Sequence, residues 1–324
     1  GLGVGISDDI VYSESQTFLN VNKDGVDQKM NDYLGIDNYH VTIDPQGDYI
    51  AHVDCWAKLL APDKILIASV PLGHEQYEEY EEVATYFKTT NCCWGYPYNV
   101  YRVNIPVTKK AQITDVDKIA PYTNSLIVNK KVFVPISSLT NTSYNEAALQ
   151  VYREAMPGYE IIGVDYIKTD NGNYSGWKNT DALHCRTREV MDFDMLFVDH
   201  REVLHGEVAQ KDSYPITAKF IAYSGKNITS AQLHYRINTD DWQTVNMTQV
   251  GTSDEYTANI TGCNIGDAVN YYITGSDASG RTCAQPIFED VEPHTFTVVE
   301  NTGSEPEPTP QPTAISLTAN PTTI

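Results

Sequence analysis

The sequence predicts an α/β repeat gathered about a pseudosymmetry axis, followed by an all-β sandwich of immunoglobulin type. Three observations carry this. A strand–strand–helix–strand order recurs from the start to about residue 203. Short alternating strands with no helical stretch fill 204–300. The run from Gly303 to Pro312, with its Glu-Pro and Thr-Pro pairs, reads as an extended linker, so 301–324 is a Pro-rich linker and the start of a further module.

In the first unit, Ile10-Val11-Tyr12 and its surroundings read as extended, Asp24 to Tyr33 spaces Val26, Met30 and Tyr33 as a helix does, and Tyr39 to Ile43 is a strand. The second unit takes strands at Ile50 to Leu60 and Lys64 to Val70, a helix at His74 to Phe87 and a strand at Tyr98 to Ile105. In the third, Ser125 to Val128 pairs with Val132 to Ile136 across Asn129-Lys130-Lys131, before a helix at Tyr144 to Met156 and a strand at Ile161 to Ile167. A fourth starts at Ala182 and runs into Val190 to Val198. Only the order of elements repeats; identity between units is slight. The sandwich strands are Tyr214 to Phe220, Ala231 to Arg236, Glu255 to Asn259 and Val269 to Ile273, with turns such as Ser224-Gly225-Lys226-Asn227.

With 22 basic against 43 acidic residues, the formal charge of −21 repels nucleic acid and anionic lipid and suits a cationic substrate. No apolar run reaches membrane-spanning length. The opening Gly1-Leu2-Gly3-Val4-Gly5 and the stop at Ile324, just after a new strand-like pattern, suggest an excerpt of a longer, processed protein. Cys263 and Cys283 bracket a strand-rich segment and are a candidate disulfide pair. Sequons at Asn141, Asn227, Asn246 and Asn259 permit glycosylation, and both features point to a secreted or cell-surface protein. No CxxC pair, phosphate loop, metal-ligand cluster or redox-cofactor motif is present, so no cofactor and no metal are expected.

Cys185 lies in the polar loop Asp181-Ala-Leu-His-Cys-Arg-Thr187, far from His52-Val53-Asp54. A thiol becomes a good nucleophile only when its pKa is lowered and a base shuttles its protons, so a cysteine of this kind needs a histidine and a carboxylate brought to it by folding. His52, Asn124 and Cys185 each lie at or just before the first strand of successive units, so rotationally related units would bring them together in one cavity. Alternation along a strand would put His52 and Asp54 on the same face.

The segments Tyr49-Ile50-Ala51-His52-Val53-Asp54-Cys55-Trp56, Tyr122-Thr123-Asn124-Ser125-Leu126-Ile127-Val128-Asn129 and Ala182-Leu183-His184-Cys185-Arg186-Thr187 resemble motifs of the bacterial peptidylarginine deiminase and agmatine deiminase group of the guanidine-modifying (pentein) superfamily. The resemblance implies a five-bladed α/β propeller around a central cavity. It implies that Cys185 is the nucleophile, His52 the general acid/base and Asp54 the carboxylate that pairs with a guanidinium, with Asn124 lining the cavity and Tyr49 near the substrate. Deimination of peptidyl-arginine through a covalent thiouronium follows, with agmatine or free arginine as alternative substrates. The β-sandwich resembles that of the secreted peptidyl enzymes. His184, Asp181, Asp170 and Cys55 are expected to support the structure rather than react, and His184 to point away from Cys185.

The chain departs from the family pattern in one respect. A further guanidinium-binding Asp and substrate-binding arginines belong to blades preceding the matched region, and this chain supplies about three complete units plus the one bearing Cys185. A separate N-terminal polypeptide, released by cleavage near Gly1, is therefore expected to complete the domain. Two other readings are a catalytically silent binding protein and an amidino-group transferase.

Overall fold

A computed structural model of the chain describes residues 2–47, 50–105, 121–138, 142–165, 181–188 and 190–301, together with 167, 168, 174, 175 and 177. Tyr49, Asp170, the sequon at Asn141 and the linker from 302 onward lie outside the described residues.

The first half is mixed α/β. Strand β1 (Val4–Asp8) leads into helices α1 (Ile10–Leu19) and α2 (Lys23–Leu34) and then into β2 (Asn38–Thr42), which pairs parallel with β1. The order strand–strand–helix–strand then appears twice in full. Strand β3 (Ala57–Ala61) pairs antiparallel with β4 (Lys64–Ser69), and α3 (Tyr77–Thr89) returns the chain to β5 (Asn99–Asn104), parallel to β4. The same handling joins β6 (Leu126–Val128), β7 (Lys131–Pro135), α4 (Thr142–Ala155) and β8 (Glu160–Val164), after which the short strands β9 (Ile167–Lys168) and β10 (Tyr174–Ser175) pair antiparallel. The tight β6–β7 turn uses Asn129 in the left-handed region, a conformation that asparagine tolerates better than most side chains.

Helical periodicity explains how these units close. In α3, Tyr80, Val83, Ala84 and Phe87 form one buried stripe, and in α4 Asn145, Ala148, Leu149, Tyr152 and Ala155 form another. Helix α3 packs on β4 and β5, and α4 on β5 and β8; β4 is buried over nearly its whole length, as its apolar run Ile65-Leu66-Ile67-Ala68 requires. Trp56, Phe87, Val132, Val134 and Tyr152 belong to the same continuous core.

Three local expectations are corrected. Ile10-Val11-Tyr12 opens α1 rather than a strand: β-branched residues favour strands only weakly, and here local hydrogen bonding starts the helix, which Asn20 ends in a left-handed cap. Residues 50–56 are not extended either. The amides of Cys55 and Trp56 bond back to the carbonyls of His52 and Val53 at 3.0 Å each, making a single 3₁₀ turn over Val53–Cys55, and β3 begins only at Ala57. Finally, the segment from Ala182 forms turns. The one strand that follows, β11 (Leu196–Asp199), pairs antiparallel with β13 (Ser213–Ala222), so it joins the all-β region and not a fourth α/β unit.

That region holds two sheets. The first runs β11, β13, β17 (Glu255–Thr261), β16 (Thr248–Gln249); the second runs β12 (Gly206–Ala209), β20 (His294–Val299), β18 (Ala268–Asp277), β14 (Ile228–Ile237), β15 (Gln243–Asn246), with β19 (Thr282–Gln285) also on β18. Strict in–out alternation on β13, β14 and β18 turns one face of each sheet inward, and Tyr214, Phe220, Leu233, Tyr271 and Phe296 meet in a second core. Cys263 and Cys283 are not bridged, which corrects the disulfide expectation: Cys263 follows β17 in one sheet and Cys283 sits on β19 in the other, and both are free thiols.

Candidate active site

Two loops carry the site, and buried hydrogen bonds fix both. Preceding β6, residues 122–125 are held from beneath by α4: the Tyr152 hydroxyl donates to the Tyr122 carbonyl and meets the Ser125 hydroxyl, each at 2.8 Å, and the Tyr122 hydroxyl donates to Asn145 at 2.9 Å. Thr123 donates to the Asp54 carbonyl at 3.0 Å, locking this loop to the 3₁₀ turn. Ala51 enters that turn with φ of 48°, a strained conformation for a residue with a Cβ, of the kind found where geometry is fixed for a site.

Asn124 organises what lies above. It is fully buried, and its side-chain oxygen accepts the amides of His184 (2.9 Å) and Cys185 (3.2 Å), while its Nδ2 donates to Cys185 Sγ at 3.1 Å. One side chain thus fixes the backbone of the nucleophile loop and solvates the sulfur. Because both amides converge on one oxygen, the chain turns at this point, and His184 and Cys185 face the same side. His184 does not point away: its Nδ1 is 2.6 Å from Asp54 Oδ2, and Cys185 Sγ is 3.4 Å from that same oxygen. One donor atom each from His52, Asp54 and Cys185 lies within 4.8 Å of the others. The turn brings His52 and Asp54 together without strand alternation. The same imidazole, carboxylate and thiol form a donor set able to hold a thiophilic divalent cation, a grouping that the sequence alone did not reveal.

Electrostatics assign the charges. Cys185 is pushed down to about 6, chiefly by a hydrogen bond from the Cys55 thiol and further by Asn124, against burial and the nearby Asp54 charge. Cys55 is pushed up by that hydrogen bond to Cys185 and by its burial, so the buried thiol keeps its proton and the exposed sulfur carries the charge. Cys55 is more than a packed neighbour. Burial raises the Asp54 carboxyl, but hydrogen bonds from His184 and Cys185 and the charges of His184 and His52 outweigh it and hold it below the ordinary carboxylate range. Asp181 pairs with Arg186 through two 2.9 Å contacts, which braces the loop behind Cys185 as expected.

A cleft of about 670 Å³ is lined by His52, Asp54 and His184 together with Asp8, Val11 and Glu14, and Cys185 follows directly on His184 in sequence. Sequence reasoning missed Asp8 and Glu14, since Ser7-Asp8-Asp9 carries no pattern that separates it from ordinary surface. A separate, more apolar cavity of about 480 Å³ at the joint with the all-β region, lined by Leu2, Leu59, Trp94, Phe197 and Ile287, touches none of the site residues.

Residues 12–190, more than half of the chain, match the model of the Porphyromonas-type peptidyl-arginine deiminase family. The chain belongs to that family. The matched deiminase region contains His52, Asp54, Asn124 and Cys185. Residues 208–282 match carbohydrate binding module family 56. Among solved structures, the agmatine deiminase of C. jejuni is similar at 20% identity with a TM-score of 0.42, covering 57% of this chain and 51% of that one, so this chain spans about half the length of that relative. A family 56 carbohydrate-binding module, BhCBM56, is similar at 17% identity and a TM-score of 0.19 over 26% of this chain and 78% of its own.

Proposed function

We propose that the chain carries the reactive half of a hydrolase that deiminates a guanidinium group, with arginine in peptides as the leading substrate and free arginine or agmatine as the alternatives. The observation that carries this reading is the low-pKa Cys185 sulfur set 3.4 Å from a carboxylate, with an imidazole within 4.8 Å. Family membership adds independent support.

A guanidinium carbon is a poor electrophile because its charge is delocalised. Asp54 would localise that charge through paired charge-assisted hydrogen bonds, displacing His184 from Oδ2. The cation offsets the repulsion between Asp54 and the thiolate, so substrate binding itself favours the reactive form of Cys185. Attack by Sγ on the central carbon forms the C–S bond of a tetrahedral adduct. Protonated His52 gives its proton to the departing nitrogen, ammonia leaves, and a thiouronium remains on Cys185. Neutral His52 then takes one proton from water as its oxygen adds to that carbon; breaking the C–S bond regenerates the thiolate, and the remaining hydroxyl proton passes to solvent, where the released ammonia takes it up, leaving the neutral ureido product. Incubation with an arginine peptide, free arginine and agmatine, read by ammonia and ureido detection, tests the reading: turnover lost in Cys185→Ala supports it, and turnover retained in that variant contradicts it.

The fold we infer for the catalytic domain is the five-bladed propeller of the pentein group, of which the two strand–strand–helix–strand units are the part best seen. The all-β region is the binding module of the pair and takes carbohydrate. Its outer face carries His234 stacked on Tyr272 at 4.5 Å, with Trp242 edge-on to Tyr272 and Arg236 over Trp242. Such a module suits a secreted or cell-surface enzyme. Retention on insoluble polysaccharides that is lost in Trp242→Ala is the result expected.

A further inference from the structure

We propose that Asp8, with Glu14 beside it, is a specificity-determining subsite that receives a protonated primary amine at the far end of the guanidine substrate. This rests on the deiminase reading and narrows it: the preferred substrate carries a free ammonium, as agmatine does at its end and as free or N-terminal arginine does at its α-carbon. The same number of bonds separates guanidinium carbon from amine nitrogen in all of these. An internal arginine presents a neutral amide there instead.

Asp8 is the last residue of β1 and is 4% exposed. Its Oδ1 accepts the Ile10 amide at 3.4 Å, and Oδ2 is buried with no hydrogen-bond partner among the described residues. A buried carboxylate oxygen without a donor is costly, and folding alone gives no reason for it. Among the described residues its charged neighbours are Asp9 and Asp44, both acidic, and Asp9 shares a side-chain hydrogen bond with it and brings no cation. Burial first, and those two carboxylates in addition, push Asp8 up to about 7, a penalty that an arriving ammonium would relieve. The carboxylate lines the same 670 Å³ cleft as His52, Asp54 and His184, and exposed Glu14 on α1 adds a second negative charge to its wall. The cleft falls within the size range of small-ligand pockets, and Asp54 and Asp8 both line it.

The test compares arginine amide with N-acetylarginine amide, which differ in the charged amine, and agmatine with n-butylguanidine. An N-terminal arginine dipeptide is run beside agmatine to separate peptide from small-molecule sources. The expected result is a kcat/KM ratio of about tenfold or more in favour of the amine-bearing member of each pair, falling towards unity in Asp8→Asn chiefly through KM, and falling partly in Glu14→Gln. A ratio near unity in the unmodified protein overturns the proposal, as does a ratio that Asp8→Asn leaves unchanged while lowering both rates, which is what a structural role alone would do. If Asp8→Asn does not fold, exposed Glu14→Gln and Glu14→Lys carry the comparison, and an unaltered ratio in both is contrary. Should no guanidine be turned over, the deiminase reading fails by itself; calorimetric binding of arginine amide against N-acetylarginine amide to Cys185→Ala then decides the subsite, and equal affinities reject it.

Discussion

Replacing Cys55 by alanine isolates what makes Cys185 reactive. The buried Cys55 thiol supplies the largest contribution to the lowered pKa of Cys185, which stands at about 6, and Asn124 supplies a smaller one. A hydrogen bond to a charged group is worth about 1.5–3 kcal/mol, and one pKa unit is 1.36 kcal/mol. Because Cys185 is exposed to solvent, the lower end of that range applies, and the variant should titrate about one unit higher. The sign follows from which form is stabilised: removing a donor to the thiolate disfavours the thiolate, so the midpoint moves up. At neutral pH the thiolate fraction would drop from about nine-tenths to about half, a roughly twofold fall in reactivity there that vanishes above about pH 9. Iodoacetamide alkylation of Cys185, followed by mass spectrometry across pH, reads this midpoint. A midpoint unchanged or lower in Cys55→Ala would refute the assignment of Cys55 as the donor.

Asn124→Ala removes both the sulfur's second donor and the acceptor of two loop amides, so it should cost more than the loss of Cys55: at least about 10²-fold in kcat, the scale on which a preorganised polar group acts, with the thiol midpoint again raised. Loss of His184 strips Asp54 of its nearest hydrogen bond, and since that bond holds the carboxyl low, His184→Ala should raise the Asp54 midpoint in a carboxyl 13C NMR titration; an unchanged midpoint argues against the contact. Treatment with EDTA should leave turnover intact, whereas added zinc should inhibit reversibly by capturing His52, Asp54 and Cys185; activity lost on chelation would require a metal in the mechanism. Glu292→Ala, which removes the carboxylate partner of the buried Lys64 ammonium and leaves it the Ala155 carbonyl and the face of Phe288, should lower stability by about 1.5–3 kcal/mol in thermal or urea unfolding, towards the lower end because Glu292 is partly exposed.

Much of this was legible in the sequence because periodicity reports burial. The stripes of α3 and α4, the apolar run of β4 and the in–out alternation of β13, β14 and β18 all follow from which residues must leave water. The segments bearing the chemistry were harder to read. His52 and Asp54 sit on a 3₁₀ turn that their apolar neighbours disguise as strand, and Ala51 gives no hint of its positive φ. His184 joins Asp54 only because Asn124, some sixty positions earlier, gathers two consecutive amides on one oxygen, a contact no local pattern encodes. Residue types identified Cys185, His52, Asp54 and Asn124 as candidates; the roles of Cys55 and Asp8 depend on burial and partners that appear only when distant loops meet.

The most direct test of the account is acid quenching of the protein during turnover of an arginine substrate, followed by peptide mapping. A covalent amidino adduct confined to the peptide carrying Cys185, and absent from Cys185→Ala, is the predicted result. Turnover with that cysteine unmodified throughout, or with the adduct on another residue, would contradict it.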